Sequence, residues 1–365
     1  MSIDKTSTPP DDHVVENPEA ATGAATVVDP RLLVREQGFA GYITEFKRKM
    51  KAGDLGSIPV VIGLAIIWII FQSLNSNFLT ANNLSDISIA MVGTGMIAVG
   101  IVFVLLLGEI DLSVGSVSGV AGASFAVLNI NHGMSEWLAF VLAILTGTAA
   151  GAIHGFVFAK IGVPAFAVTL AGLLFWNGFM LQILGSNGTI NLNSDGMVAK
   201  LTTYYFSDVA AAYALAIVVT ALYFLSSFYG NRRREAAGVP SRPLSETILR
   251  TVLLGVLSIA VAIVYNQYKG LPLAVVIFIG TLLITDFVLR RTPYGRKIFA
   301  LGGSVEASRR AGINVEMIRI SVFAISGTFA AIGGLFIASK IASANQGAGA
   351  GDLLMNAIAA AVIGG

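Results

Sequence analysis

Apolar residues fall into nine stretches of near-membrane length and the start of a tenth, separated by short polar intervals. They cover 57–74, 87–107, 112–128, 137–159, 164–184, 209–229, 249–266, 270–289 and 318–339, with the unfinished one at 353–365. An α-helix needs about 20 mostly apolar residues to cross about 30 Å of hydrocarbon. Lipid offers backbone amides no partner, so each stretch must be helical. The pattern predicts an all-α polytopic membrane bundle of about ten transmembrane helices, the last incomplete in this chain.

Ahead of the first stretch the pattern changes. Residues 1–30 are rich in Pro, Ala, Thr and acids, with too few large apolar side chains to fold alone, and are expected to be a disordered cytoplasmic tail. From Arg31 to Lys51, Leu32, Phe39, Tyr42, Ile43, Phe46 and Met50 recur at helical steps, with Lys47, Arg48, Lys49 and Lys51 crowding the end. Such a stripe suits an amphipathic helix over 31–56 lying in the headgroup plane, with an irregular linker as the alternative. Residues 57–365 form the transmembrane domain, with cytoplasmic loops expected at 230–248 and 290–317.

Composition agrees with a membrane protein: 55% apolar, 12% charged, mean hydropathy +0.78, against about 25% charged in soluble domains. The absence of cysteine removes disulfides and thiolate metal sites, and His13, His132 and His154 show no ligand spacing. Neither a metal nor a bound cofactor is expected. Charge is distributed unevenly. With Lys5, Arg31 and Arg35 set aside as remote from any stretch, and the amino terminus placed in the cytoplasm, only Lys200, Lys269 and Lys340 of the remaining Lys and Arg fall outside. Basic residues in short loops resist translocation, so this orientation is the expected one.

Candidate chemistry concentrates in "GEIDLSVGSVSG", residues 108–119, where Glu109 and Asp111 follow an uncharged run. An acid at the bilayer centre costs about 2.5–3.5 kcal/mol on insertion scales. Asp111 recovers part of that cost if it caps a helix starting at Leu112. Alternatively the two acids, with Ser113, Gly115, Ser116 and Ser118 exposing hydroxyls and backbone, form the wall or gate of a polar pathway. In "GTAAGAIHG" Gly147, Gly151 and Gly155 share one helix face, and Gly115 and Gly119 repeat the spacing. Small faces allow close helix packing, static or sliding. His154 beside that face reads as a hydrogen-bonded packing residue or a proton carrier. Asp286 and Arg290 read as an i,i+4 pair at the end of their stretch.

"GEIDLSVGS" closely resembles the signature of the permease subunits of bacterial ABC importers for monosaccharides, the ribose, galactose and xylose group. "VPAFAVTLAGLL" at 163–174, "TPYGRKIFALGGSVEASRRAGINV" at 292–315 and "AIAAAVIGG" at 357–365 match the same family in order. Glu109, "YKGLP" at 268–272 and the basic loop "GNRRREAAGVPSRP" are most similar to its xylose branch. The resemblance implies a multi-pass protein of the bacterial inner membrane that moves a monosaccharide inward without being an enzyme. The implied partners are a separate ATP-binding subunit, a periplasmic sugar-binding protein and a second permease copy, with no nucleic acid. It also implies that Glu306, Ala307, Ser308, Arg309, Arg310 and Gly312 form the loop that couples to the ATPase, with Ser308 where the family has Ala. Two departures stand out. His154 replaces a usual Asn, and the family continues past "VIGG", so an incomplete tenth helix is expected.

Three function classes separate on chemistry. An importer permease needs no ATP site of its own, and no G-x-x-x-x-G-K-[ST] occurs. An ion-coupled secondary sugar transporter, the alternative, would use Glu109 and Asp111 as coupling acids. An intramembrane enzyme would need a nucleophile and base or a metal cluster in the bilayer, and no cysteine or paired His supplies one.

Overall fold

The computed structural model describes residues 58–365, except 239, 240, 242, 350 and 365. The expected tail at 1–30 and amphipathic helix at 31–56 lie outside the described residues.

Among the described residues, ten apolar helices succeed one another where the hydropathy pattern places them. They are α1 (Ile58–Leu74), α2 (Ala81–Leu105), α3 (Val114–Ala126), α4 (Glu136–Phe156), α5 (Ala165–Leu184), α7 (Val209–Ala236), α8 (Leu244–Asn266), α9 (Leu273–Arg291), α12 (Val315–Ile341) and α13 (Leu353–Gly364). The intervening short helices are α6 (Met197–Thr203), α10 (Pro293–Gly303) and α11 (Val305–Arg310). Helices α3 and α4 each run on through a π-turn, Val127–Asn131 and Val157–Ile161. Eight of the ten are long and apolar enough to cross a membrane, and α1 and α13 are shorter.

Helix α12 is the hub. Its 27-residue sequence carries Gly327, Gly333 and Gly334, and each meets the backbone of a different neighbour. A Cβ on Gly327 would run into the Gly147 carbonyl of α4, one on Gly333 into the Gly93 carbonyl of α2, and one on Gly334 into the Ser118 carbonyl of α3. Van der Waals packing and interhelical hydrogen bonds hold helices together in lipid, and small residues maximise both. Thr148 and Thr328 add a 2.7 Å hydroxyl bond across α4 and α12. The peripheral helices are unlike this centre: α1, α7 and α8 expose Ile69, Ile217 and Val256, among others, as a lipid-facing shell requires.

Alternation of the helices gathers the connections on two sides. On one side the chain is tied by two short antiparallel pairs. β1 (Thr189–Asn191) joins β4 (Ser343–Asn345), and β2 (Tyr205–Phe206) joins β3 (Leu271–Pro272). There Glu136 accepts from the Met197 amide at the start of α6, and Thr202 bonds Ser339 at 2.7 Å. The other side carries the break at 106–113, the α10–α11 pair and most of the described basic residues.

Candidate functional site

The break between α2 and α3 follows Leu105, Gly108 within it turns the chain at a φ of +77°, and the next helix begins at Val114 rather than Leu112. Asp111 is therefore upstream of the cap position, which Ser113 occupies. Its Oδ1 instead accepts from the Ser113 amide at 2.9 Å, forming an Asx turn, and from Ser113 Oγ at 2.6 Å. Its Oδ2 accepts from Ser326 Oγ at 3.1 Å. Only 2% of Asp111 is exposed.

This carboxylate is held by a residue well inside α12. Ser326 stands eleven residues into α12, roughly 16 Å of helix rise. A buried charge is tolerable only when its lone pairs are filled, and three donors meet this one.

The network continues outward. Ser113 Oγ lies 3.1 Å from His154 Nδ1, and Trp176 Nε1 donates to His154 Nε2 at 3.0 Å. Indole is a donor only. Nε2 must therefore accept, and Ser113 Oγ, whose hydrogen goes to Asp111, must receive one from Nδ1. The arrangement that satisfies every group is neutral His154 with its hydrogen on Nδ1. Gly172 on α5 makes room for the ring, since a Cβ there would meet Nε2. His154 is thus hydrogen-bonded through both ring nitrogens and joins α4, α5 and the break.

Glu109 is placed differently. It is half-buried, and burial pushes its carboxyl up, with the Arg319 guanidinium pulling part of the way back. Arg319 itself lies over the Phe158 ring at 4.3 Å, and Lys160 pairs with Glu316 alongside. The two acids therefore do not form one site: Asp111 is locked inside the bundle, and Glu109 looks toward a cationic, aromatic rim.

Sequence reasoning expected hydroxyls exposed along the start of α3, and the structure differs. Ser113, Ser116 and Ser118 are all buried. Ser116 donates to the Ser113 carbonyl and Ser118 to the Gly115 carbonyl, because a hydroxyl in a helix bonds most cheaply to its own preceding turn. Gly115 backs onto Gly349, and a Cβ on it would lie 2.6 Å from the Gly349 carbonyl. Gly147, Gly151 and Gly155 lie against α12, at Gly327, Phe323 and Ile320.

The 290–317 interval, expected from sequence to be a cytoplasmic loop, holds two helices. Thr292 caps α10 by accepting from Gly295, and Ser304 caps α11 by accepting from Ala307. Gly312, at φ +77°, ends α11, with the Ile313 amide closing on the Ser308 carbonyl. Glu306 and Arg310 pair at 3.2 Å on the surface, where Ala307, Arg309 and Gly312 are also exposed, and Ser308 is buried beneath them. Asp286 and Arg290 pair at 2.6 Å, as their spacing suggested.

The residues that sequence reasoning missed are Ser326 and Trp176. Ser326 reaches Asp111 across 215 positions, a separation that leaves no local signal. Trp176 lies in an apolar helix where an indole is unremarkable.

Comparison with known proteins follows the same boundaries. Residues 83–365 match the family described as "Branched-chain amino acid transport system / permease component". The xylose transport system permease protein XylH of Escherichia coli K12 is 33% identical over 87% of this chain and 80% of its own. XylH of Haemophilus influenzae is 31% identical over 87% of this chain and 84% of its own, and the ribose import permease protein RbsC of that organism is 31% identical over 83% and 75%. No solved structure matches. A helical bundle with eight helices among the described residues able to cross a membrane, matched over most of its length by this family's profile, places the chain in the branched-chain amino acid transport system permease component family, as a multi-pass membrane transport subunit.

Proposed function

We propose that the chain is the translocating subunit of an ATP-binding-cassette importer that carries a monosaccharide, a pentose such as xylose, inward across the bacterial inner membrane. The observation that carries this reading is the similarity to xylose permeases over 87% of the chain. The family profile's own description names amino acids, so the sugar rests on those relatives. Family membership also favours ATP-driven import over the ion-coupled alternative.

In this reading two copies pair in the membrane. A separate ATP-binding subunit docks on the surface of Glu306, Ala307, Arg309, Arg310 and Gly312. A periplasmic sugar-binding protein delivers substrate to the side tied by the two strand pairs. The chain itself binds no cofactor. Asp111 with Ser113 latches the break to Ser326, Ser116 and Gly115 seat the next helix, and Glu109 with Arg319 forms the cytoplasmic rim of the gate. The small face of Gly147, Gly151 and Gly155 holds α4 to α12 while the break moves.

Radiolabelled xylose, ribose and arabinose offered to cells lacking their own pentose importers test the substrate. Xylose uptake is expected only when the ATP-binding subunit and binding protein are co-expressed, and is expected to survive a protonophore while ATP is maintained. Uptake abolished by the protonophore at constant ATP would return the chain to the ion-coupled class.

Orientation has its own test, because the chain contains no cysteine. A single Asn193→Cys is expected to react with an impermeant maleimide from outside intact cells. Ala237→Cys is expected to react only after the membrane is opened. The reverse labelling would place the amino terminus outside and move the ATPase-facing surface away from α11.

A further inference from the structure

Helix α6 has two faces. Val198, Ala199 and Thr202 are buried, whereas Met197, Lys200, Leu201 and Tyr204 recur at i, i+3, i+4 and i+7 as a second, more exposed stripe. That stripe lines one wall of a groove of about 370 Å³, and Trp137 and Phe140 of α4 with Leu273 of α9 line the rest. The walls are tied together. Glu136, beside Trp137, accepts from the Met197 amide, the Leu273 amide donates to the Tyr204 carbonyl at 3.0 Å, and Thr202 bonds Ser339 of α12. The groove is therefore part of the fold.

Trp137 is the second residue of α4 and Leu273 the first of α9, two of the helices able to cross a membrane, so the groove lies where their apolar runs end. Trp137 is 71% exposed and Tyr204 46%. Indole and phenol rings favour the boundary between hydrocarbon and headgroups. The lining is otherwise apolar, with Lys200 as its one charge. Lys200 also differs from the other lysines on this side. Lys340 pairs with Asp86 at 3.3 Å, and Lys269 lies 5.1 Å and 5.5 Å from the ring centres of Tyr268 and Tyr205. Lys200 is exposed, and its ammonium meets no carboxylate, hydrogen-bond acceptor or ring among the described residues.

We infer that this groove binds an anionic glycerophospholipid, with one acyl chain along Trp137, Phe140 and Leu273 and the headgroup phosphate against the Lys200 ammonium. The apolar lining takes the chain, and the unmet cation takes the phosphate. A lipid seated there bridges α4, α6 and α9. The inference rests on the chain's place in a membrane and not on the importer reading, so neither the sugar nor the energy source enters it.

The test is quenching of tryptophan fluorescence in the chain reconstituted into phosphatidylcholine vesicles. An equal minor fraction of either phosphatidylglycerol or phosphatidylcholine carries brominated acyl chains. The difference between wild type and Trp137→Phe isolates the signal of Trp137. Brominated phosphatidylglycerol is expected to bind beside Trp137 roughly fivefold more tightly, the preference that one cation facing an anionic headgroup gives. Lys200→Gln is expected to abolish that preference, and Lys340→Gln, which removes a lysine from the same side, to keep it. Equal quenching by the two lipids in wild type, or a preference that survives Lys200→Gln, overturns the site. Loss of preference in both lysine variants would show diffuse surface attraction and overturn it as well.

A second measurement separates lipid from protein. Wild type purified in detergent with added phosphatidylglycerol is expected to retain an additional lipid per chain in native mass spectra, relative to Lys200→Gln. Equal retention overturns the inference. Lys200→Gln that leaves the lipid count unchanged but weakens capture of the co-expressed sugar-binding protein would assign the groove to a protein partner instead. A wild type that imports no pentose but keeps the phosphatidylglycerol preference would sink the importer reading and leave the lipid site standing.

Discussion

Replacing Gly151 by leucine leaves almost no folded protein to assay. A single Cβ at Gly151 would fall on the Phe323 carbonyl, 2.9 Å from its carbon and 3.1 Å from the Gly327 amide. All three atoms are α12 backbone, so no side chain can rotate out of the way. Alanine at this position costs roughly 1–3 kcal/mol, the usual penalty for overpacking. Leucine forces α4 and α12 apart along the face that also holds Gly147, Gly155 and the Thr148–Thr328 bond. Gly280→Leu on α9, with nothing within 4 Å, is the control and is expected to stay near wild type. Monodisperse yield in detergent measures both. Comparable yield from Gly151→Leu and Gly280→Leu would show that the α4–α12 contact is not what holds the bundle.

Asp111 gives the second large effect. Asp111→Ala leaves the Ser113 amide and the Ser113 and Ser326 hydroxyls without their acceptor in a buried site. Each buried donor left unsatisfied costs about 1–3 kcal/mol, so most of this variant should be lost to misfolding. Asp111→Asn is the informative substitution. Its amide oxygen still accepts from Ser113, and the Ser326 hydroxyl can turn to accept from the new NH2 group. The fold survives, but the latch between the break and α12 loses its charge-assisted bond. Uptake is expected to fall several-fold at unchanged folded amount, and Ser326→Ala is expected to add little on top of it. Full uptake in Asp111→Asn would reduce the carboxylate to a structural anchor. Additive losses in the double variant would show that the two side chains act separately.

The order of the membrane helices was legible because hydropathy in a bilayer is a local property: each stretch had to be helical whatever its neighbours did. The break was legible for the same reason, since Glu109 and Asp111 interrupt an apolar run. Its detail was not. Asp111 resembled a helix cap by position, yet it turns its oxygens to Ser113 and to Ser326 on a distant helix. The lengths of α2 and α3 do not reveal that partner. Likewise α10 was read as loop because eleven residues with Arg296 and Lys297 among them carry no membrane signal. Its helix depends on Ile298 and Leu301 finding a pocket built by α2, α5 and α12. The glycine faces were visible as spacing, but which helix each one meets depended on the assembled bundle.

The hydrogen-bond line from Trp176 through His154 and Ser113 to Asp111 has a single sense, with every hydrogen pointing toward the carboxylate. A proton wire must take up a proton at one end and release one at the other, so each link needs a lone pair facing backward. Indole nitrogen has none to offer, and the line is closed at its outer end. An acid buried inside a membrane protein would ordinarily threaten to short-circuit the proton gradient. Here it is insulated along this line, and a membrane subunit can keep a carboxylate between two helices without opening a proton leak through this network.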